Sequence, residues 1–229
     1  VGVVITGSVV LAYFVGSLWY NLERPPLRTL GETRLLYALF MSVIGVLLFL
    51  RWRFKWLLLY SLGVSVIFLC VNLLRPEVQN ETLMPALHSP WFVPHVVVYI
   101  FSYAMLGASS IVAVKGIYLN FKNRAIRDTL ILADTLVYIG FAFLTLGLLF
   151  GALWAKEAWG HYWTWDPKET WAFITWVGYL IYLHLRFVPE IPQVIHLRVL
   201  ALAFLILLVC WFGVSYLPSA QTSVHMYTD

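Results

Sequence analysis

The chain alternates long apolar runs with short polar breaks, and the breaks recur at intervals suited to a bilayer. Seven apolar runs can be read, at about 3–20, 35–50, 56–74, 95–119, 130–154, 171–187 and 197–217. Each is near the roughly 20 residues that a helix needs to cross the hydrocarbon core. The breaks differ in character. A polar loop fills 21–34, and a short basic turn runs from Arg51 to Lys55. A long loop at 75–94 ends in a stretch dense in proline and aromatics, and a second basic loop holds Lys122, Arg124 and Arg127. The fifth break is rich in tryptophan, the sixth is a turn through Pro189 and Pro192, and a tail follows Pro218. No repeat, linker or low-complexity segment interrupts the series. The pattern predicts an all-α integral membrane protein, a polytopic bundle of about seven transmembrane helices forming one domain over 1–229, with an external tryptophan-rich loop.

Composition agrees. Apolar residues make up 62% and charged residues 11% of the 229, where a soluble domain carries about a quarter charged residues. Mean hydropathy is +0.83. The net charge of +4 is spread through the loops, not gathered into a patch, which argues for a lipid bilayer and against nucleic acid as a partner. The chain starts at Val1 with no basic segment or cleavage site ahead of its first apolar run, as expected for a piece of a longer or fused protein. Cys70 and Cys210 fall inside spans and form no CxxC pair, so thiol redox chemistry and a cysteine metal site are not expected.

Lysine and arginine set the orientation. With seven spans, Arg51, Arg53, Lys55, Lys115, Lys122, Arg124, Arg127, Arg186 and Arg198 share one side. Arg24, Arg28, Arg34, Arg75, Lys156 and Lys168 share the other. The richer side is the cytoplasmic one. The tryptophan loop, the loop before His95 and the C-terminal tail then meet on the outer face.

Trp159-Gly160-His161-Tyr162-Trp163-Thr164-Trp165-Asp166-Pro167-Lys168-Glu169-Thr170-Trp171 is the break around which the chain is organised. Its second half reads as a helix start: Asp166 as N-cap, Pro167 at N1, and Glu169 at N3 closing a capping box. Capping leaves the tryptophans unexplained. Trp159 and Trp163 would share a face on a helix, with Trp165 just beyond, giving a flat aromatic surface at the membrane boundary. The plainer alternative is an interfacial belt, where tryptophan is enriched in any case. Histidines stand near this surface. His95 opens the fourth span and His225 lies in the tail. Imidazole is a common haem and metal ligand, so a pair flanking an aromatic platform could hold a haem iron from both sides. His88 and His161 compete, and spacing does not rank the four.

The tryptophan-rich segment resembles the "WWD" signature of the haem-handling membrane proteins of cytochrome c biogenesis. With Trp171, Tyr182-Leu183-His184-Leu185-Arg186, the segment 89–107, and Phe212-Gly213-Val214-Ser215-Tyr216-Leu217, the likeness is to the CcsA/ResC branch more than to CcmC or CcmF. It covers most of the chain from about residue 85 onward, and the first third shows no matching motif. The resemblance implies a protein that binds haem b as its substrate and moves it outward. With a CcsB/ResB partner it would present the haem for thioether attachment to the CXXCH motif of apocytochrome c, as a component of a haem lyase. It also implies haem-iron ligands at His95 and His225, and a further intramembrane ligand at His184. His161 stands where the family motif varies and is not counted. The cofactor-binding set is then His95, His225, His184, Trp159, Trp163, Trp165 and Asp166. No catalytic residue is assigned, because the attacking thiols belong to the apocytochrome.

Asp166 and Glu169 read best as capping partners. Thirteen residues separate Trp171 from His184, placing it about 20 Å down a core of about 30 Å, where an ionisable group is costly and a functional candidate. Arg186 beside it can snorkel to the cytoplasmic surface. Gly147 and Gly151, in GxxxG spacing, read as helix-packing contacts, as do Asn72, Ser61 and Ser65. Two other functional classes remain: a CcmC-like haem chaperone or exporter without ligase activity, and a transmembrane b-type electron carrier.

Overall fold

Apolar runs become helices in a bilayer because every backbone N–H and C=O must find a partner within the segment. The computed structural model describes residues 2–26, 29–53, 55–74, 86 and 89–218. Seven helices run through them: α1 Gly2–Leu22, α2 Leu30–Trp52, α3 Lys55–Leu74, α4 Phe92–Phe121, α5 Arg127–Trp159, α6 Pro167–Leu185 and α7 Gln193–Leu208. A π-helical turn, Val209–Gly213, and a 3₁₀ turn, Val214–Tyr216, continue α7. No strand occurs among the described residues. Among the described residues five stretches are long and apolar enough to cross a membrane: α1, α2, α4, α5 and α7 with its π-turn. The apolar part of α3, Leu58–Leu74, is shorter. The chain is an integral membrane protein.

Helix ends follow local chemistry. Thr29 caps α2 in a capping box with Glu32, which also pairs with Arg24 at 2.8 Å. Arg53 closes α2 in the left-handed conformation, its N–H donating to the Phe49 carbonyl. Lys122, Asn123 and Arg124 close the α4–α5 turn by donating backbone N–H groups to the last carbonyls of α4. α5 is longer than its apolar run. Its Ala155–Trp159 extension of good helix formers carries it to Gly160, a left-handed terminus at φ +84°.

α4 and α5 pack along their length, antiparallel, and the core gathers around them from α2, α6 and α7. Ala104, Ala108 and Ala113 of α4 are fully buried, and the Ser102 hydroxyl donates to the Gly140 carbonyl at 2.7 Å. Small residues and such bridges are the usual means of holding membrane helices together. The same logic covers the polar residues of α3. Asn72 Nδ2 donates to the Gly31 carbonyl at 2.8 Å, Ser65 donates to the Ala38 carbonyl at 2.9 Å, and Ser61 packs where Gly45 lacks a Cβ. α1 packs on α2 and buries only Val15.

The contacts sort the helix ends into two sets. Phe92 meets Trp154, Ser89 Oγ donates to Glu157 Oε2 at 2.8 Å, and Trp154 Nε1 donates to the Ala86 carbonyl at 2.7 Å. The loop before His95 and the end of α5 therefore share one end of the bundle. At the other end Asp134 of α5 meets Arg186 of α6, and His196 of α7 meets the Leu185 carbonyl. About 25 Å of α5 rise separates Asp134 from Gly151.

Candidate functional site

His95 lies in the first turn of α4, half-buried against α5. Its Nδ1 sits 2.9 Å from the Gly147 carbonyl oxygen. A carbonyl can only accept, so Nδ1 carries the proton and the lone pair belongs to Nε2. A ligating histidine has its tautomer and ring orientation fixed in this way, by donating its other N–H to a carbonyl or carboxylate. Gly151 makes the fit possible. A Cβ there would stand 2.8 Å from His95 Cε1 and 2.9 Å from Nδ1. The glycine pair expected to pack helix on helix thus has another use: Gly147 orients the imidazole and Gly151 leaves it room. Gly147, Gly151 and Trp154 lie at i, i+4 and i+7 on one face of α5. Trp154 completes the wall, 5.3 Å from the imidazole between ring centroids, and Tyr99 meets it edge-on at 4.7 Å.

The aromatic surface is not flat, and Trp159 and Trp163 do not share a helix face. Gly160 ends α5, so Trp159 belongs to the helix and Trp163 to the loop. Trp159 packs on Trp154 at 4.9 Å and 60°, which puts it in the His95 cluster. Trp163 and Trp165 meet edge to face at 5.8 Å and 86°, and Trp165 meets Phe173 at 5.8 Å and 89°. Such edge-to-face arrangements suit the ring quadrupoles. Two aromatic groups therefore stand at this end of the bundle. One surrounds His95. The other runs from the loop onto α6 through Phe173 and Trp176 and crosses to Phe141 of α5.

The loop between them is held by its own cap. Asp166 accepts from the Lys168 N–H at 2.9 Å. Glu169 Oε2 accepts from the Asp166 N–H at 3.1 Å and the Thr164 N–H at 2.8 Å, and contacts Thr164 Oγ1 at 3.4 Å. The capping box read from the sequence is present, and Glu169 uses it to pull residues 164–166 back over the helix. Trp165 is forced into the left-handed region at φ +59°, which costs an L-residue about 1–2 kcal/mol. The Thr170 hydroxyl holds its carbonyl at 3.0 Å, and the Trp165 ring is 63% exposed. Trp163 Nε1 is buried with no hydrogen-bond partner among the described residues. Burial pushes the Lys168 ammonium below the usual lysine range, with the Asp166 carboxylate pulling the other way. His161 is exposed in the loop.

His184 is in the last turn of α6 and points out of the bundle. Its Nδ1 lies 2.8 Å from the Leu180 carbonyl of its own helix, so again Nδ1 carries the proton and Nε2 the lone pair. It does not reach a neighbouring helix for that bond. Arg186 does not simply reach to the surface either. It grips Asp134 with Nε at 2.9 Å and a terminal nitrogen at 2.8 Å. His95 and His184 are at opposite ends of the bundle, so they form no common site. His88 and His225 lie outside the described residues, as does the tail segment 219–223.

Sequence reasoning missed Trp154, Tyr99 and the tie from Gly147 to His95. The i, i+4, i+7 spacing on α5 was the available signal, but spacing does not say which side chain fills a glycine gap. Asp134 was also missed, although a carboxylate within an apolar run is itself a signal.

Residues 27–220 match the family model described as cytochrome C assembly protein. Among curated proteins, the cytochrome c biogenesis protein CcsA of Panax ginseng is 33% identical, covering 92% of this chain and 80% of its own length. CcsA of Coffea arabica is 32% identical, covering 89% and 78%, and CcsA of Atropa belladonna is 31% identical over all of this chain and 85% of its own. The likeness is not confined to residues beyond about 85, as the motifs alone suggested; it runs through the first third as well. The chain belongs to the cytochrome c assembly protein family, with the CcsA proteins of cytochrome c biogenesis.

Proposed function

We propose that this protein binds haem b at the outer end of the bundle, with His95 and His225 as axial ligands. It then presents the haem for attachment to an apocytochrome c, together with a CcsB/ResB-type partner. The observation that carries this proposal is the His95 setting. Its ring is oriented by the Gly147 carbonyl, fitted against Gly151 and walled by Trp154. A histidine serving only as an interfacial hydrogen-bonding group needs no glycine cut away beside it. The strained, clamped Trp165 supports the same assignment. Anchoring in a membrane interface asks only for an aromatic ring, whereas a left-handed tryptophan held by Thr170 and Glu169 fixes a ring direction. The loop would thus position the porphyrin edge.

Attachment adds each apocytochrome thiol across a haem vinyl group. The sulfur–carbon bond forms at the carbon beside the ring, and the proton goes to the terminal carbon. The thiols come from the CXXCH motif, so this chain supplies geometry. Holding the reacting atoms in place can contribute about 7–11 kcal/mol. Paired histidine ligation fixes the ring and tunes the iron potential. Asp166 and Glu169 serve the loop's conformation and touch the haem only through the tryptophans they place.

A second, inner haem site at His184 fits the same scheme. Its Nε2 lone pair faces away from the bundle, so the second ligand comes from the partner protein. Haem would load there and pass to His95 and His225. His184→Ala then empties both sites, and His95→Ala leaves the inner one loaded. If His184→Ala purifies with a full outer site, the relay fails. The membrane we propose is a bacterial cytoplasmic one, and the lysine and arginine asymmetry turns the tryptophan loop to its outer side; reporter fusions at Gly160 and Asn123 test the orientation.

The test of the whole scheme is maturation of a reporter apocytochrome by this chain and its partner alone. Covalent haem on the reporter supports attachment. Haem-loaded protein that leaves the reporter as apoprotein would assign it the chaperone role. The separation of His95 from His184 speaks against a b-type electron carrier, which would hold one haem between histidines within the bilayer.

A further inference from the structure

Asp134 is a carboxylate inside an apolar helix. It stands about 10 Å from the start of α5 at 1.5 Å per residue. Its two oxygens accept three hydrogen bonds, from Tyr182 of α6 and from Arg186, the C-cap residue that follows it. Oδ1 takes the Tyr182 hydroxyl at 2.7 Å and Arg186 Nε at 2.9 Å, and Oδ2 takes an Arg186 terminal nitrogen at 2.8 Å. This is a two-pronged arginine–carboxylate pair with a phenol added, the strongest geometry such groups offer. It is well shielded, at 24% and 14% side-chain exposure. A second helix grips the same turn. His196 of α7 is 2% exposed, and its Nε2 donates to the Leu185 carbonyl at 3.0 Å. That carbonyl belongs to the last residue of α6, where helix carbonyls lack intrahelical partners, and it also accepts the Val188 N–H at 3.0 Å.

Between these two grips lies His184. Tyr182 and Arg186 are four residues apart, on the face of α6 turned to α5. His184 stands midway in sequence, about 160° round the helix from both. Fixing the 182/186 face therefore aims His184 outward, and its own Nδ1 bond to Leu180 settles the ring.

We infer that Asp134 is a positioning residue for haem at His184: with Arg186, Tyr182 and His196 it locks the rotation of the last turn of α6, so that His184 meets the second ligand from the partner protein. This rests on His184 binding haem as proposed above, and it deepens that reading by naming what holds the ligand in place. Asp134 contacts no haem. Its carboxylate acts through α6.

The test uses the full chain with its partner, in a His95→Ala background that leaves haem b bound at the inner site alone. His184→Ala comes first. If it keeps the haem, the inner-site reading itself fails. If it empties the site, Asp134→Asn is measured for haem per protein, midpoint potential and the low-spin electron paramagnetic resonance spectrum of the ferric form. A fivefold or greater loss of haem, or a changed spectrum at retained haem, supports the positioning role. Wild-type occupancy, potential and spectrum overturn it. Should Asp134→Asn fail to accumulate, Tyr182→Phe is read in its place. It removes one bond and no charge, and an altered spectrum supports the inference while an unaltered one overturns it. The exchanged pair, Asp134→Arg with Arg186→Asp, separates positioning from a role of the carboxylate itself. Restored haem supports positioning. An exchanged pair that accumulates without haem overturns it.

Discussion

Replacing Gly151 with Ala adds one methyl group to α5 and should dislodge the outer haem ligand without weakening the helix. A Cβ at this position would stand 2.8 Å from His95 Cε1 and 2.9 Å from Nδ1. Ordinary carbon contacts lie at about 3.5–4.0 Å, so the imidazole must retreat by about 0.7–1.2 Å. The Nδ1 bond to the Gly147 carbonyl is 2.9 Å long, and such a retreat stretches it past the limit. Losing one hydrogen bond costs about 1 kcal/mol net, and overpacking a filled site about 1–3 kcal/mol. Against this, Gly→Ala in a helix interior gains about 1 kcal/mol. The protein should accumulate normally, while haem affinity at the outer site falls about 10- to 100-fold, the equivalent of about 1.4–2.7 kcal/mol. Haem titration of the purified chain with its partner, in a His184→Ala background, measures this. Gly147→Ala is the control. Its added Cβ would strike Tyr99 at 2.9 Å instead, so its effect on haem should be smaller and indirect. Affinity within twofold of the parent for Gly151→Ala would refute the cradle.

Trp165→Gly relieves the left-handed residue at φ +59°, worth about 1–2 kcal/mol, but gives up its edge-to-face contacts with Trp163 and Phe173, each worth about 0.5–1.5 kcal/mol. The protein should still accumulate, yet cytochrome maturation should be abolished; normal maturation would reduce Trp165 to an anchor. Trp163→Phe and Trp159→Phe should insert normally and impair maturation, whereas loss of the protein from the membrane would favour anchoring. Glu169→Ala removes the acceptor of the Thr164 and Asp166 N–H groups and should cost about 0.5–2 kcal/mol. Limited proteolysis between His161 and Asp166 should then become several-fold faster, and an unchanged cleavage rate would contradict the folded-back loop.

The helices were legible because backbone satisfaction in lipid leaves few options, and the breaks fell at polar clusters. The start of α6 was legible to the residue, since Asp166, Pro167 and Glu169 each have a single good reason to stand together. The end of α5 was not. Its apolar run stops near Trp154, but Ala155–Trp159 favours helix with or without lipid, so the helix runs on to Gly160. That extension moved Trp159 out of the loop and into the His95 wall. Gly147 and Gly151 show a different limit: a glycine pair announces a close approach, and only the packed structure says that an imidazole makes it. Asp134 was readable as an anomaly but not as a clamp, because its partners lie on α6, far along the chain.

The most direct measurement is the absorption spectrum of the chain with its partner, before and after His95→Ala, in the His184→Ala background, purified empty and then titrated with free haem b so that the outer site fills without the inner one. The account requires a bis-histidine low-spin haem in the parent. With His95→Ala the Soret band should fall severalfold, and added imidazole should restore it by filling the open position. Wild-type haem content with an unmoved Soret band in His95→Ala would contradict the central claim and turn attention to His88 or His161.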